Sequence, residues 1–352
     1  MEQNMELGNK IKRLRLRAGM TQEMLAEEMG VSFQTISKWE NNVCAPDIAM
    51  LPKLSVYFGV TIDELFDLTV EQRLHRIENM LDMEQELPHS TFVETIEFLQ
   101  DQLKGEGDKA RIYSFLAHAY HHRINSDCEK VSRYARKSLL LRQDVKDCHW
   151  LLQKSEGAVV YDWNSYNHHR VILFYKDLVE KNPKIPRNYL YLMDNLLADR
   201  RIEEAEECLE RYRSLEDHRA FQVLIYEGRI AWAKHDDALA EQKFQELEER
   251  FPEDGDVLFN IAGFCAERCQ YDQAIAYYEK SFDLEQKQQK KPLYTDALEG
   301  MAIIHEIQGN YREAVKCYDR ILQVLDVEFG FAEGAPVDEV LAEKQRLMEK
   351  LN

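Results

Sequence analysis

No run of apolar residues in this 352-residue chain approaches the ~18 that a membrane span needs, so insertion into a bilayer is not expected. The seven cysteines are scattered without a CxxC pair. In an acidic chain with no signal peptide, that pattern implies a reduced, cytoplasmic protein rather than a disulfide framework. The motifs that usually announce catalysis are missing as well: there is no Gly-rich phosphate loop, no nucleophile elbow and no HExxH. No enzyme and no cofactor are therefore expected. Positive charge is also in deficit, with a formal net charge of −19, which at first argues against a nucleic-acid partner.

The deficit is uneven. Residues 1–68 hold 7 Lys/Arg against 10 Asp/Glu, so the remaining chain carries −16. Within the first part, Lys10, Lys12, Arg13, Arg15 and Arg17 crowd into eight positions, and such a local cluster is what matters for phosphates. The acidic remainder should repel DNA, which suits a sensor or assembly module. Hydrophobic residues make up 45% of the chain, enough for substantial cores, and the length suggests roughly two domains.

The most informative stretch is Thr21–Glu40, TQEMLAEEMGVSFQTISKWE. Thr21 can cap a helix in which Met24, Leu25 and Met29 keep the 3- and 4-residue spacing of a buried stripe and Ala26 permits close packing. Gly30 falls where that helix must stop, because glycine enters the left-handed conformation without strain. Ser32 can cap a second helix with Ile36 and Trp39 on one face and Gln34, Ser37, Lys38 and Asn41 on the other. A polar, almost uncharged outer face suits the reading of base edges. The pattern is a helix-turn-helix whose recognition helix is Ser32–Glu40.

Around it, residues 6–18 should form a helix with Leu7, Ile11 and Leu14 inward and the basic cluster outward, where Arg13 and Arg15 are candidate phosphate contacts. The loop NNVCAP follows, and Asn42 tolerates the left-handed region. Asp47 can cap a fourth helix to Phe58, bent or begun at Pro52, and TIDELF forms a short fifth. The run TQxxLAxxxGVSxxxISxWE resembles the DNA-binding domain of the XRE/phage-repressor family. That resemblance implies a five-helix head over 1–68 that binds double-stranded DNA as a homodimer on an inverted-repeat operator, its recognition helices in major grooves ~34 Å apart. It further implies that Phe33, Gln34, Ser37 and Lys38 face base edges while Gln22, Thr35 and Asn41 grip phosphates. Ile36 and Trp39 should be structural.

From Val70 to about Leu87, Leu74, Ile77 and Leu81 keep helical register, as a linker helix or a dimer contact; the linker is taken as 69–104. Thereafter the chain is helix in pairs. Ala205, Ala240, Ala274 and Ala314 recur at intervals of 35, 34 and 40, the longest accommodating a polar insertion at 286–291. Leu209, Phe244, Tyr278 and Tyr318 follow each alanine by four. Units such as NIAGFCAERCQYDQAIAYYEKSF resemble tetratricopeptide repeats, in which a small residue lets two helices approach and an aromatic fills the gap. Less regular pairs are expected over 109–142, 144–183 and 186–217, making about six in an all-α solenoid over 105–352 closed by a C-terminal helix.

In that repeat class the first helix of each pair faces the groove, which nominates Arg187, Asp194, Gln222, Arg229, Trp232, Asn260 and Glu306 as ligand contacts, with Arg229 suited to a terminal carboxylate. Head plus repeats is an architecture similar to the peptide-responsive quorum-sensing regulators of Gram-positive bacteria. It implies a transcriptional regulator sensing a short peptide. The alternative is an adaptor whose repeats bind another protein, or repeats that serve dimerisation alone. His118, His121 and His122 share a helix face, and Cys265 and Cys269 are four apart, but no second pair of ligands accompanies either set. Surface histidines and core thiols are the expectation.

Overall fold

The computed structural model describes residues 2–66, 68–157 and 165–351, and every regular element among them is helical. The chain divides into two compact units, one comprising residues up to 82 with 87–121, the other 83–86 with the remainder.

In the first unit, α1 (Glu2–Arg17), α2 (Gln22–Met29), α3 (Phe33–Glu40), α4 (Leu51–Phe58) and α5 (Ile62–Leu65) form the head. Leu7, Ile11, Leu25, Met29, Ile36, Leu54 and Leu65 are buried together in its core, whereas Met24, expected on the same stripe, is exposed. The conflict at Pro52 resolves as a helix start. Asp47 caps a 3-10 turn, Ile48–Met50, its Oδ1 accepting from the Ala49 amide at 2.8 Å, and α4 then begins with Pro52 in its first turn. A proline there gives up a donor that has no helical partner in any case.

Next come α6 (Val70–Met83) and α7 (His89–Gln102). Leu74 and Ile77 are buried with Phe98, Leu99, Ile112 and Phe115, so the apolar face of the expected linker is already covered within the chain. The helix pair expected over 109–142 is instead a single 33-residue helix, α8 (Lys109–Leu141). No glycine or proline interrupts those residues, so nothing in them ends a helix.

In the second unit, α9 (Lys146–Ser155) and α10 (Ser165–Lys181) precede the regular array. Four pairs follow: α11 (Pro186–Ala198) with α12 (Ile202–Arg213), α13 (Ala220–Ala233) with α14 (Asp237–Arg250), α15 (Gly255–Glu267) with α16 (Tyr271–Lys287), and α17 (Asp296–Ile307) with α18 (Tyr311–Val324). A last helix, α19 (Ala335–Glu349), packs on α18. Ala205, Ala240, Ala274 and Ala314 are all fully buried, which is the register read from their spacing.

The turns inside the pairs share one geometry. Arg200, His235, Cys269 and Gly309 occupy the left-handed region at φ of 56°, 65°, 58° and 76°. The amide one residue on bonds back to the helix in each case: Arg201 to the Leu196 carbonyl, Asp236 to Ala231, Gln270 to Cys265 and Asn310 to His305, at 2.8–2.9 Å. This satisfies carbonyls that a helix end leaves without partners. Only one of the four turns uses glycine. Cys269, expected in the core with Cys265, is exposed at its turn while Cys265 is buried.

Between helices the aromatic side chains fill space left by glycine. A Cβ on Gly228 of α13 would lie 2.6 Å from a ring carbon of Phe244 on α14, and one on Gly300 of α17 would lie 2.9 Å from Tyr278 on α16. Phe244 cannot easily yield, because it stacks on Phe264 with ring centroids 3.7 Å apart. Gly228→Ala should therefore lower stability by about 1–3 kcal/mol through overpacking, read by urea unfolding of the full chain; an unchanged midpoint would show that Phe244 has room to move. Cys269→Gly should raise stability by about 1 kcal/mol, since a non-glycine residue is strained at positive φ, and the same measurement checks it.

Candidate nucleic-acid interface and repeat cavity

Local capping sets the geometry of the helix-turn-helix. Thr21 Oγ1 accepts from the Met24 amide at 3.2 Å and Ser32 Oγ from the Thr35 amide at 3.2 Å. Between them Gly30 turns the chain at φ +70°. Ile36 and Trp39 are buried, whereas Phe33, Gln34 and Lys38 are exposed and Thr35 and Ser37 half-buried. Asn41 is exposed, its Nδ2 donating to the Ser37 carbonyl at 2.8 Å.

The loop after α3 is tied to α1. Asn42 sits at φ +57° and its Oδ1 accepts from the Gly8 amide at 3.2 Å. A Cβ on Gly8 would lie 2.0 Å from the Trp39 carbonyl oxygen, so only glycine lets α1 lie this close to the end of α3.

The basic cluster of α1 divides. Arg13 is exposed, but Arg15, expected to meet phosphate, is buried. Its Nε and Nη2 donate to the two carboxylate oxygens of Glu40 at 2.5 and 2.9 Å, and Nη1 to the Met20 carbonyl at 2.6 Å. Gln22 Nε2 donates to the same carboxylate at 2.7 Å, which commits the amide that was expected to grip phosphate. The reason is register: Leu7, Ile11 and Arg15 are four apart, so Arg15 shares the inward face. Glu40 is the residue that the sequence reading passed over. Burial opposes its charge, but hydrogen bonds from Arg15 and Gln22 outweigh that effect and hold the carboxyl below the usual glutamate range.

In the second unit, α11, α13 and α15 border a cavity of about 530 Å³ lined by Asp194, Leu197, Arg200, Arg229, Trp232 and Glu267 among others. It gathers Asp194, Arg229 and Trp232 from the expected groove set. Arg229 reaches Asp194 and Glu267, each at 3.4 Å. Tyr226 donates to Asp194 Oδ1 at 2.8 Å, and burial, then Asp194, raise its pKa. Arg187 is exposed in the first turn of α11 and Gln222 half-buried in that of α13, while Asn260 turns its Nδ2 to the Asp256 carbonyl of its own helix.

Glu306, the last of the expected groove set, is engaged by the C-terminal helix. Arg346 of α19 donates to both its carboxylate oxygens at 2.6 Å and Lys350 adds a third bond at 3.2 Å, which together bring its pKa to about 2. Among the described residues no group of three or more His, Cys, Asp or Glu is placed to hold a metal ion, and no helix is long and apolar enough to cross a membrane.

A helix-turn-helix family model matches residues 11–65 and a tetratricopeptide-repeat model residues 255–326. The HTH-type transcriptional activator BcrR of Enterococcus faecalis is 46% identical over 61 residues, 17% of this chain and 30% of BcrR. An uncharacterized HTH-type transcriptional regulator of Methanocaldococcus jannaschii is 40% identical over 58 residues, 16% of this chain and 88% of that protein. The chain belongs to the HTH-type transcriptional regulators. This regulator carries an XRE-type head and tetratricopeptide repeats. The crystal structure of Bacillus thuringiensis PlcR in complex with the peptide PapR7 and DNA aligns over 97% of the regulator and 99% of PlcR, with 13% identity and a TM-score of 0.31.

The Arg15–Glu40 pair makes the head acid-sensitive. A carboxyl whose folded pKa lies below its unfolded value of about 4.3 contributes stability above that value, lost as pH falls through the folded pKa. Glu40→Gln should remove this pH dependence and, by leaving Arg15 buried without a counter-charge, cost about 3–5 kcal/mol at pH 7. Amide hydrogen exchange in α1–α3 at pH 7 and pH 4 measures both effects; wild-type protection at either pH would assign the pair no structural role.

Proposed function

We propose that this regulator acts in the cytoplasm as a homodimer on an inverted-repeat operator and that its repeats respond to a short peptide. In this reading residues 1–68 are the DNA-binding head, 69–104 the helical connection and 105–352 the sensing array. On α3 Gln34 and Lys38 are exposed opposite the buried Ile36 and Trp39, and Phe33 is exposed at the start of the helix, which supports their assignment to base edges, with Ser37 beside them. Gln34 suits a bidentate contact to adenine and Lys38 a contact to guanine or phosphate. Thr35 and Asn41, together with Arg13 on α1, are assigned to the phosphate backbone. Gln22 is assigned there through its place at the N-terminus of α2, where helix amides favour an anion.

The observation that carries the sensing half of the proposal is the cavity bordered by α11, α13 and α15, where Arg229, Asp194 and Trp232 converge. It combines apolar walls with a few polar groups, the usual make-up of a small-ligand site. A ligand there regulates only if it binds two states of the array with different affinity.

Selection of the full-length protein against random duplexes, across a salt series, tests the DNA half. Recovery of an inverted repeat whose affinity falls steeply with salt is the expected result. Enrichment of a single unpaired half-site would overturn the homodimer. Gln34→Ala should cost about 1–3 kcal/mol at one base pair of each half-site and relax preference there; unchanged preference at every position would remove Gln34 from the reading set.

A further inference from the structure

The two sides of the repeat array are held together differently. From α14 onward, second helices of neighbouring pairs are joined by close ion pairs: Lys280 of α16 with Glu248 of α14 at 2.9 Å, and Arg320 of α18 with Glu279 of α16 at 2.7 Å. On the first-helix side a single guanidinium spans three successive pairs. Arg229 of α13 lies between Asp194 of α11 and Glu267 of α15, at 3.4 Å from each. Charge-assisted hydrogen bonds of this kind settle at about 2.7–2.9 Å, so Arg229 is shared between the two carboxylates and fully engaged with neither.

Arg229 also lines the cavity, next to Leu197, Ala198 and Trp232. The geometry points to an exchange: a ligand carboxylate takes Arg229 from Asp194 and Glu267, and in doing so releases the ionic tie between α13 and α15 and weakens that between α11 and α13, where the Tyr226 hydroxyl still reaches Asp194 and the Leu190 carbonyl. A carboxylate accepts two parallel N–H bonds from one guanidinium, a better arrangement than two long contacts to separate partners. Asp194 keeps the hydrogen bond from the Tyr226 hydroxyl after Arg229 leaves, so the exchange does not strand it. The Lys280–Glu248 pair between α14 and α16 remains in place, so the released motion is an opening of α13 from α15 on the first-helix side. The apolar wall formed by Leu197, Ala198, Ala233 and Trp232 takes the side chain adjacent to the carboxylate. This inference rests on the peptide reading above and adds to it the group recognised and the contact broken.

The probes are pools of random heptapeptides made without Asp or Glu, one with free C-termini and one amidated, and a third amidated pool carrying a single Glu. Full-length protein should retain the free pool and not the plain amidated one. Retention of the third pool would show that a side-chain carboxylate serves equally, which supports the exchange. The double variant D194N/E267Q should retain carboxylate peptides about three- to tenfold more strongly, the worth of two partly exposed ion pairs, and Arg229→Gln should lose the distinction between pools. Equal retention of free and amidated pools by wild-type protein would overturn the exchange and leave the peptide reading standing; retention of no pool by any of the proteins would overturn both. Amide hydrogen exchange supplies the second readout. Carboxylate peptides added to wild-type protein should speed exchange in α13 and α15 as D194N/E267Q does without ligand, and no change in either sample would overturn the tie.

Discussion

Helices in this chain come together where a side chain is absent or reduced to a methyl. In the head the missing atom is the Cβ of Gly8, whose place is taken by the Trp39 carbonyl. In the repeats the buried alanines of the second helices bring each pair into contact, and Gly228 and Gly300 admit the rings of Phe244 and Tyr278. Close-packed interiors punish a single added methylene, so these few positions hold the geometry that the larger core residues then fill.

Charge is organised on a second principle. A chain with net charge −19 keeps its scarce cations paired at structural points. Arg15 fixes α1 to the end of α3 through Glu40, and Arg346 fixes α19 to α17 through Glu306. The buried Arg15–Glu40 pair adds little net stability over an apolar replacement, but removing one partner is costly, which makes it a device for fixing position. Arg229 differs from both: it is held loosely between two carboxylates and borders a cavity.

What could be read from the sequence was whatever depends on local chemistry and period. Thr21, Ser32 and Asp47 cap as their side chains require, Asn42 takes the left-handed conformation, and the alanine intervals give the register of the array. What could not be read depends on partners distant in the chain. Arg15 was counted with a basic cluster by proximity, when its four-residue spacing from Ile11 already placed it inward; Glu40, 25 residues away, supplies the reason. Glu306 was assigned to a groove because its helix is the first of a pair, but Arg346, 40 residues on, claims it. The 33-residue α8 was divided by analogy with its neighbours, although nothing in its composition breaks a helix.

The shared turn of the four pairs has a consequence for how the array can change. Arg200, His235, Cys269 and Gly309 each stand five residues before the buried alanine of their pair, so the count within that part of the pair does not vary. The extra residues prolong the end of α16 and lengthen its link to α17, outside any such turn. Insertions and deletions are thus confined to the junctions between pairs, and the indivisible unit of growth in this molecule is the helix pair.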